Sequence, residues 1–297
     1  MRTQLKPQKD MNKKRKIIIA VSAIIALLCI LAGSIIWSNE HISVEKYSVE
    51  FERLPEEFDG FKIAQVSDLH NATLGKEHSR LIKAIKKSSP DIIVLTGDMI
   101  DSYSTDIENS IDFIKQAVDI APCYYVPGNH EARLTNEYPV FAEKISALGV
   151  KILENAETFI EKENGSKIQI AGVIDPTFVP YSDVSHFEGI MKGYLDEISD
   201  YDGFTLLLAH RPEILKVYAE KGVDLVLSGH THGGQVRIPF IGAIYCPNQG
   251  IFPEYSDGFY SLDDTVMFIS RGMGSSSFPV RMFNPPQLVI ITLEHAN

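Results

Sequence analysis

The chain is poor in cysteine and has none of the cysteine spacings that bind a structural zinc ion or build a disulfide framework. Its three cysteines, Cys29, Cys123 and Cys246, are far apart in 297 residues, and no C-x-x-C motif occurs. A cysteine-based zinc site and a disulfide-stabilised scaffold are therefore excluded. We expect Cys123 and Cys246 to be small buried apolar groups, and the sequence leaves open whether they pair.

Basic residues are scarce after the first 16 positions. Residues 1–16 hold seven Lys or Arg and one acid, whereas residues 17–297 hold 21 basic and 38 acidic side chains, a net charge of −17. A body of this charge repels a phosphate backbone, so no nucleic-acid partner is expected.

Charge is absent from residues 17–37, a run of 21 residues that reads IIIAVSAIIALLCILAGSIIW. At 1.5 Å per residue this run spans the hydrocarbon core of a bilayer. The basic residues before it predict a cytoplasmic tail over 1–16, with the remaining chain outside the cytoplasm. A cleaved secretory signal ending near residues 31–33 is the alternative, but the run is longer than the core of such signals. We therefore predict a single-pass anchor in the cell membrane.

Internal repeats, low-complexity tracts and any linker beyond residue 60 are also missing, which favours one domain over 38–297. Its first strand is predicted at about 42–53, where apolar and polar residues alternate. The turn at Asp59-Gly60 predicts a hairpin between this strand and the next.

Short apolar runs of strand length then alternate with helix-like stretches, a rhythm that indicates an α/β fold with a largely parallel sheet. The runs are FKIAQV, DIIVLT, CYYV, KIQIAGV, FTLLLA and VDLVLS, and the helices are predicted at 76–88, 106–119, 138–147, 187–198 and 212–221. Strands near 234–238, 257–262, 265–270 and 287–293 follow, and they predict a second, mixed or antiparallel sheet packed against the first.

Polar side chains follow five of the apolar runs, at the point where each predicted strand ends. Ligands of α/β sheets bind at the carboxyl ends of strands, so these side chains are expected to converge. The seven candidate metal ligands are Asp68, His70, Asp98, Asn129, His210, His230 and His232. Residues i and i+2 of an extended segment project to one side, which predicts that Asp68 and His70 share a direction, as do His230 and His232. The histidines at 41, 78, 186 and 295 lack such placement and are predicted at the surface.

Carboxylate, imidazole and amide ligands without thiolate suit Mn²⁺, Zn²⁺ or Fe. Seven ligands are too many for one ion, so we expect two divalent ions about 3.5–4 Å apart with Asp98 as the bridge. Paired ions lower the pKa of a bound water and hold the oxygens of an in-line displacement. The predicted reaction is attack of a metal-bound hydroxide on the phosphorus of an ester.

Five ordered motifs of this sequence, spread over about residues 60–295, resemble those of the calcineurin-like metallophosphoesterases. They are Asp68-x-His70, Gly97-Asp98-x-x-Asp101, Gly128-Asn129-His130-Glu131, His210 and Gly229-His230-x-His232. GHTHGGQ and SRGMGSSSFPVR are similar to the membrane-associated bacterial phosphodiesterase branch, in which an N-terminal anchor or export signal is usual. This chain has no twin-arginine signal, which departs from some members of the branch.

The resemblance implies a four-layer sandwich of two mixed β-sheets flanked by helices, here preceded by one transmembrane helix. It also implies that Asp68, His70 and His232 hold one ion and that Asn129, His210 and His230 hold the other. His130 would then face the substrate as an acid or charge stabiliser, a task that suits a histidine near neutral pH.

Other side chains are assigned from their chemistry and position. Asp101 is expected to support a ligand histidine from behind. Arg271, in a glycine-rich turn after an apolar strand, is the arginine that we expect to grip phosphate, ahead of those at 133, 211, 237 and 281. Phe278, Met282 and Phe283 form either an apolar lip for a lipid tail or part of the core.

These observations predict a dimetal phosphodiesterase that acts on a lipid-linked or cell-envelope phosphodiester. A phosphomonoesterase or nucleotide pyrophosphatase is the alternative, since an ion pair accepts several phosphorus esters. A non-catalytic scaffold is disfavoured because all seven ligands and His130 are present. A histidine-triad hydrolase is excluded, since Gly234 occupies the third alternating position.

Overall fold

The protein is described here from a computed structural model, which covers residues 8–234, 236–246, 249–275 and 280–296. Phe278 and residues 1–7 of the predicted tail lie outside these ranges. The helices are α1 (Gln8–Glu40), α2 (Ser79–Ser88), α3 (Ile107–Val118), α4 (Asn129–Arg133), α5 (Glu137–Ala147), α6 (Phe187–Glu197) and α7 (Leu215–Lys221). The early strands are β1 (Ser43–Phe51), β2 (Lys62–Val66), β3 (Ile92–Thr96), β4 (Cys123–Val126), β5 (Lys151–Ile152), β6 (Ala156–Glu161), β7 (Lys167–Gly172) and β8 (Thr205–Leu208). The later strands are β9 (Leu225–Ser228), β10 (Arg237–Ile238), β11 (Gly242–Ala243), β12 (Tyr245–Cys246), β13 (Gly250–Ile251), β14 (Gly258–Leu262), β15 (Thr265–Ile269) and β16 (Gln287–His295).

Two six-stranded sheets form the body of the protein. The first has the order β1-β16-β2-β3-β4-β5 and the second the order β14-β15-β9-β8-β7-β6. Both sheets are mixed. In the first, β2 to β5 run parallel, and β16 pairs with β2 antiparallel. In the second, β7, β8, β9 and β15 run parallel, and the edge strands β6 and β14 pair antiparallel to their neighbours. The predicted α/β fold with two mixed sheets is confirmed.

Helices cover the outer face of each sheet, which gives four layers. Buried side chains of α2, α3 and α5 pack on the first sheet, those of α6 and α7 pack on the second, and a third cluster fills the space between the sheets. Strands buried on both faces need near-continuous apolar sequences, which explains runs such as DIIVLT and FTLLLA.

Two predicted pairings are wrong. β1 and β2 do not form a hairpin, because β16 lies between them and pairs in parallel with β1. The four late strands do not share one sheet either: β10 pairs with β11 in a small two-stranded sheet, β14 and β15 extend the second sheet, and β16 joins the first. The burial of the strands explains the positions of β1 and β16. The alternating pattern of β1 suits a sheet edge, whereas the nearly continuous apolar residues of β16 require an interior position.

The apolar run lies within α1, which continues without a break to Glu40. Residues 13–40 have a mean hydropathy of 2.8 over their most apolar window, and that window is not buried by the rest of the protein. This helix is long and apolar enough to cross a bilayer. The boundaries of tail, anchor and domain stay predictions, since one helix passes through both predicted junctions.

The two cysteines of the domain agree with their predicted burial, whereas one histidine does not lie where it was predicted. Cys123 and Cys246 are buried and free of a disulfide. His78, predicted at the surface, is buried, and its Nε2 lies 3.0 Å from the carbonyl oxygen of Asn109 in α3. The reason is the left-handed backbone of His78 at the start of α2, which turns the ring inward against Phe113.

Replacing Phe204 with Ala should lower the free energy of unfolding by about 3–5 kcal/mol, because this side chain is fully buried between the sheets against Phe51. Chemical denaturation of the detergent-solubilised chain measures the loss. Phe159 on β6 is 37% exposed and provides the matched control, for which we expect about 1 kcal/mol or less on replacement with Ala. Equal losses for the two variants would contradict this description of the core.

Candidate metal centre

The motif residues lie where strands of both sheets end at one common edge. Asp68 follows β2, Asp98 follows β3 and the segment from Gly128 follows β4, while His210 and His230 follow β8 and β9 of the other sheet. Just below this edge the buried Gln65 amide donates to the Thr96 hydroxyl and to the Ser228 carbonyl, at 3.0 and 2.9 Å. The two sheets are therefore joined by hydrogen bonds directly beneath the site.

Asp68, His70 and His232 form one compact cluster. The Nε2 atoms of the two imidazoles are 3.1 Å apart, and Asp68 Oδ1 lies 3.5 Å from His232 Nε2 and 4.0 Å from His70 Nε2. All three side chains are buried. One atom from each lies within 4.8 Å of the others, so this group could hold a metal ion.

Asp98, His210 and His230 form a second cluster of the same kind. Asp98 Oδ2 is 3.2 Å from His210 Nε2, and the same oxygen is 3.6 Å from His70 Nε2 in the first cluster. One carboxylate oxygen of Asp98 thus faces both clusters.

Most of these side chains are presented by a strained backbone. Asp68, His70, Asp98, His230 and His232 all have positive φ angles, between 44° and 70°. The pairs Asp68/His70 and His230/His232 are therefore not in extended backbone. The prediction that extended geometry orients each pair to one side is wrong. His230 and His232 instead face different clusters. Left-handed non-glycine residues are uncommon and concentrate at functional sites.

Glycines before the clustered residues make room for them. A Cβ on Gly97, which has φ +88°, would lie 2.5 Å from His210 Nδ1. A Cβ on Gly229 would lie 2.3 Å from Asp68 Oδ2. Any side chain at these positions would push the second sheet's ligands away from the first sheet's, which explains the Gly-Asp and Gly-His order.

Burial dominates the protonation of the first cluster. It raises the pKa of Asp68 to about 7, and it lowers the pKa of His232 to about 3 and that of His70 well below its usual value. Neutral imidazole is the form that binds metals. In the second cluster burial also lowers the pKa of His230, whereas the Asp98 carboxylate overcomes burial and raises the pKa of His210 to about 10.

His130 lies between the clusters and the solvent. The backbone N–H of Ser102 donates to His130 Nδ1 at 3.0 Å, and Asp101 Oδ1 is 3.5 Å from the same nitrogen. Because a backbone N–H can only donate, Nδ1 accepts from Ser102, while Arg133 Nη1 lies 3.5 Å from Nε2. Burial lowers the pKa of His130, which the Asp98 carboxylate opposes. Asp101 also lies 4.0 Å from His70 Nδ1, so it stands behind both imidazoles.

A cavity of about 970 Å³ opens above the two clusters. Asp98, Asn129, His130, His230 and His232 form its floor. Its walls include Tyr103, Phe187, Ile244, Tyr245 and Met282 together with two arginines, Arg133 and Arg211. The cavity thus combines a polar floor with largely apolar walls.

Arg271 is not among the residues that line this cavity. Its guanidinium pairs with Glu45 at 2.6 Å and with Asp257 at 3.5 Å, and its aliphatic stem packs against Gly233. It supports the loop after His232 from behind. Met282 lines the cavity, which agrees with the predicted apolar lip. Phe283 borders a neighbouring cleft.

The sequence reasoning missed two buried groups that hold the site together. Glu131 accepts hydrogen bonds from the backbone N–H groups of Asp98, Gly128 and Ile100, at 2.9, 2.8 and 3.0 Å. Asp175 pairs with Arg211 at 2.7 Å, and Arg211 Nη1 lies 3.2 Å from His230 Nε2. A signal for Asp175 was present, since it follows the run KIQIAGV as the other acids follow theirs.

The buried donor set fits two metal ions. Asn129 Oδ1 is buried and has no hydrogen-bond partner among the residues that the structure describes. An amide oxygen left in this way beside carboxylates and imidazoles suits a cation, because an unpartnered buried acceptor is otherwise costly. Oxygen and nitrogen donors together match Mn²⁺, Zn²⁺ or Fe.

Comparison with known proteins identifies the family. The model of the calcineurin-like phosphoesterase family matches residues 61–234, which include all seven candidate ligands. The chain belongs to this family. It is therefore a metal-dependent phosphoric ester hydrolase, as predicted.

Three relatives illustrate the range of the family. The metallophosphoesterase YkuE of Bacillus subtilis is 32% identical over 86% of this chain and 87% of its own length. The phosphodiesterase YaeI of Escherichia coli is 27% identical over 78% of this chain and 82% of its own. A Danio rerio transmembrane protein with a metallophosphoesterase domain is 26% identical over 84% of this chain and 56% of its own. With α1, the third relative marks this chain as a candidate for membrane anchoring.

Replacing Glu45 with Gln should weaken the support of Arg271 in a pH-dependent way. Burial raises the pKa of Glu45, but hydrogen bonds from Tyr47, Arg271 and Gln287 and the charge of Arg271 outweigh it and lower the pKa from 4.5 to about 2. The ionised group stabilises the fold above pH 4.5, and this contribution is lost as the pH falls towards 2.

We expect Glu45→Gln to cost about 1 kcal/mol at pH 7, since the pair is partly exposed. Urea titrations in chelator, at several pH values from 7 to 3, measure the difference from the wild type. The difference should shrink below pH 4.5. A cost that stays constant across this range would show that the charge of Glu45 contributes nothing.

Proposed function

We propose that this protein is a phosphodiesterase whose two divalent ions are held by the two clusters. In this assignment Asp68, His70 and His232 would hold one ion, Asn129, His210 and His230 would hold the other, and Asp98 would contribute to both. The observation that carries the proposal is the position of Asp98 Oδ2, within 3.6 Å of an imidazole from each cluster. Two bound ions would supply an activated water and neutralise phosphoryl oxygens.

The chain's own residues provide the remaining chemistry. His130 lines the cavity, where its imidazole can give a proton to the departing alkoxide. Asp101 and the Ser102 N–H lie against its Nδ1 and orient the ring. Arg133 and Arg211 place guanidinium groups along the cavity, where planar donors suit phosphate oxygens. The arrangement orients a phosphoester against the two clusters, within reach of His130.

The walls of the cavity favour a substrate with an apolar part. Tyr103, Phe187, Ile244 and Met282 surround the space above the floor, more than a small phosphate monoester needs. We therefore assign the enzyme to a lipid-linked or cell-envelope phosphodiester. The basic residues that precede the apolar run 17–37 support a single-pass orientation with the catalytic domain outside the cytoplasm.

The purified chain, loaded in detergent with Mn²⁺, Zn²⁺ or Fe, should hydrolyse bis-nitrophenyl phosphate faster than mono-nitrophenyl phosphate. Chelator should abolish turnover. Asp98→Asn should lose both turnover and at least one equivalent of metal, because the bridging charge is removed. Activity that resists chelator, or none with any metal, would refute the enzyme proposal. A preference for the monoester would favour a phosphomonoesterase.

Replacing His130 with Ala should separate acid catalysis from metal binding. We expect turnover of diphenyl phosphate, whose leaving group needs a proton, to fall about 10²–10⁴-fold, and that of bis-nitrophenyl phosphate to fall far less. Metal content, measured by mass spectrometry, should remain at two equivalents. Loss of metal, or equal loss for both esters, would show that His130 has another role.

A further inference from the structure

A strongly apolar surface borders the cavity and has no part in the proposed chemistry. Residues 236–253 contain one charged side chain, Arg237, in a protein with 23% charged residues. The residues that the structure describes within this stretch form two small hairpins, β10–β11 and β12–β13. Large apolar side chains project from them: Phe240 is fully exposed, and Ile241, Ile251 and Phe252 are 63–71% exposed. Phe240 and Ile241 lie in the turn between β10 and β11, whereas Ile251 ends β13 and Phe252 follows it. We call these four residues together the hairpin tips.

The backbone of the hairpin tips is unfavourable for the residues that occupy it. Phe240 and Phe252 have φ angles of 69° and 54°. Glycine or asparagine would be the stable choice at such positions, whereas bulky residues there are genuine outliers. An exposed Phe with this backbone gains little free energy from burial within the fold. Its apolar surface would be buried only by something outside the chain.

The end of the anchor helix lies beside these hairpins. Asn284 donates its backbone N–H to the Ser38 hydroxyl at 3.2 Å, and the Asn39 amide is 3.3 Å from the carbonyl oxygen of Arg281. Residues 281–284 in turn contact the first hairpin, since the Arg237 N–H donates to the Met282 carbonyl at 3.1 Å. Phe283 also lines one cleft together with Phe240 and Ile241.

This chain of contacts ties the first hairpin, which carries Phe240 and Ile241, to the end of α1. The apolar run ends at Trp37, a residue type that favours the membrane–water interface. Residues 281–284 therefore connect the first hairpin directly to the interfacial end of the anchor. The same hairpins provide Ile238, Ile244 and Tyr245 to the cavity wall.

We propose that the hairpin tips insert into the bilayer that holds α1, so that the mouth of the cavity opens at the lipid headgroups. The surface fits a lipid bilayer because it is apolar, almost free of charge and continuous with the anchor's end. The further conclusion, that the substrate enters from the bilayer as a lipid phosphodiester, rests on the proposed function. The insertion itself does not.

Depth-dependent fluorescence quenching tests the insertion without any substrate. The full chain carrying Cys29→Ser is the parent, because Cys123 and Cys246 are buried. Phe240→Cys and Phe252→Cys are each labelled with an environment-sensitive fluorophore and reconstituted into phosphatidylcholine vesicles, with or without brominated acyl chains. Val140→Cys is the matched control: it is 44% exposed on α5, whose helix packs near β5, at the opposite edge of the first sheet from β1.

Labels at 240 and 252 should emit at shorter wavelength in vesicles, and brominated lipid should quench them at least twofold more than the label at 140. High salt should leave this quenching unchanged, since the tips are uncharged. Labels at 240 and 252 that stay in water like the one at 140 would overturn the proposal. So would a blue shift without quenching, because protein rather than lipid would then cover the tips.

A second variant guards against misfolding of the labelled chains. In Phe252→Cys, the added replacements Phe240→Ser and Ile241→Ser should reduce the quenching of the label about twofold or more while the circular dichroism spectrum stays unchanged. Undiminished quenching would show that Phe240 and Ile241 do not insert. Since neither residue contacts the clusters, turnover of the soluble diester is expected to persist, and its failure would bear on the proposed function alone.

Discussion

The carboxylate of Asp98 is the constraint on which the rest of the site depends. Its Oδ1 accepts a hydrogen bond from the backbone N–H of His130 at 2.8 Å. Its Oδ2 lies within 3.6 Å of the Nε2 atoms of His70 and His210. The backbone N–H of Asp98 is fixed by Glu131. One residue thus connects the first sheet, the second sheet and the helix that begins at Asn129. Any change that displaces Asp98 changes both clusters together.

The segment 281–284 gives the anchor a structural connection to the site. Asn284 donates to the His232 carbonyl at 2.7 Å and also contacts Ser38, so one residue lies against a candidate ligand and the end of α1. Arg281 is fully buried beside His232 Nδ1, at 3.5 Å. Burial lowers the pKa of Arg281 to about 10, and the Asp68 carboxylate opposes this. The last turn of α1 therefore contacts the catalytic domain at the edge where the candidate ligands lie.

Local pattern predicted the elements well and their pairing poorly. Six apolar runs became strands and five helices lie within a few residues of their predicted bounds, because periodicity and length are local properties. The partner of β1 is 244 positions away at its first residue, and no short window encodes such a pairing. Ordered motifs likewise brought the right side chains together. The assumption of extended geometry failed at His70 and His232, where tertiary contacts hold a left-handed backbone.

The site consists of groups that are costly to bury, and the structure around it is densely packed and hydrogen-bonded. Five strained residues and a group of buried carboxylates and imidazoles are each unfavourable in isolation. Three apolar clusters and the hydrogen bonds of Glu131 and Gln65 hold them in place. The free energy of folding has already offset the strain and desolvation of these acceptors, so cations can bind without rearranging them. The hairpins that border the cavity carry the opposite balance: their exposed apolar side chains gain only when something outside the chain covers them.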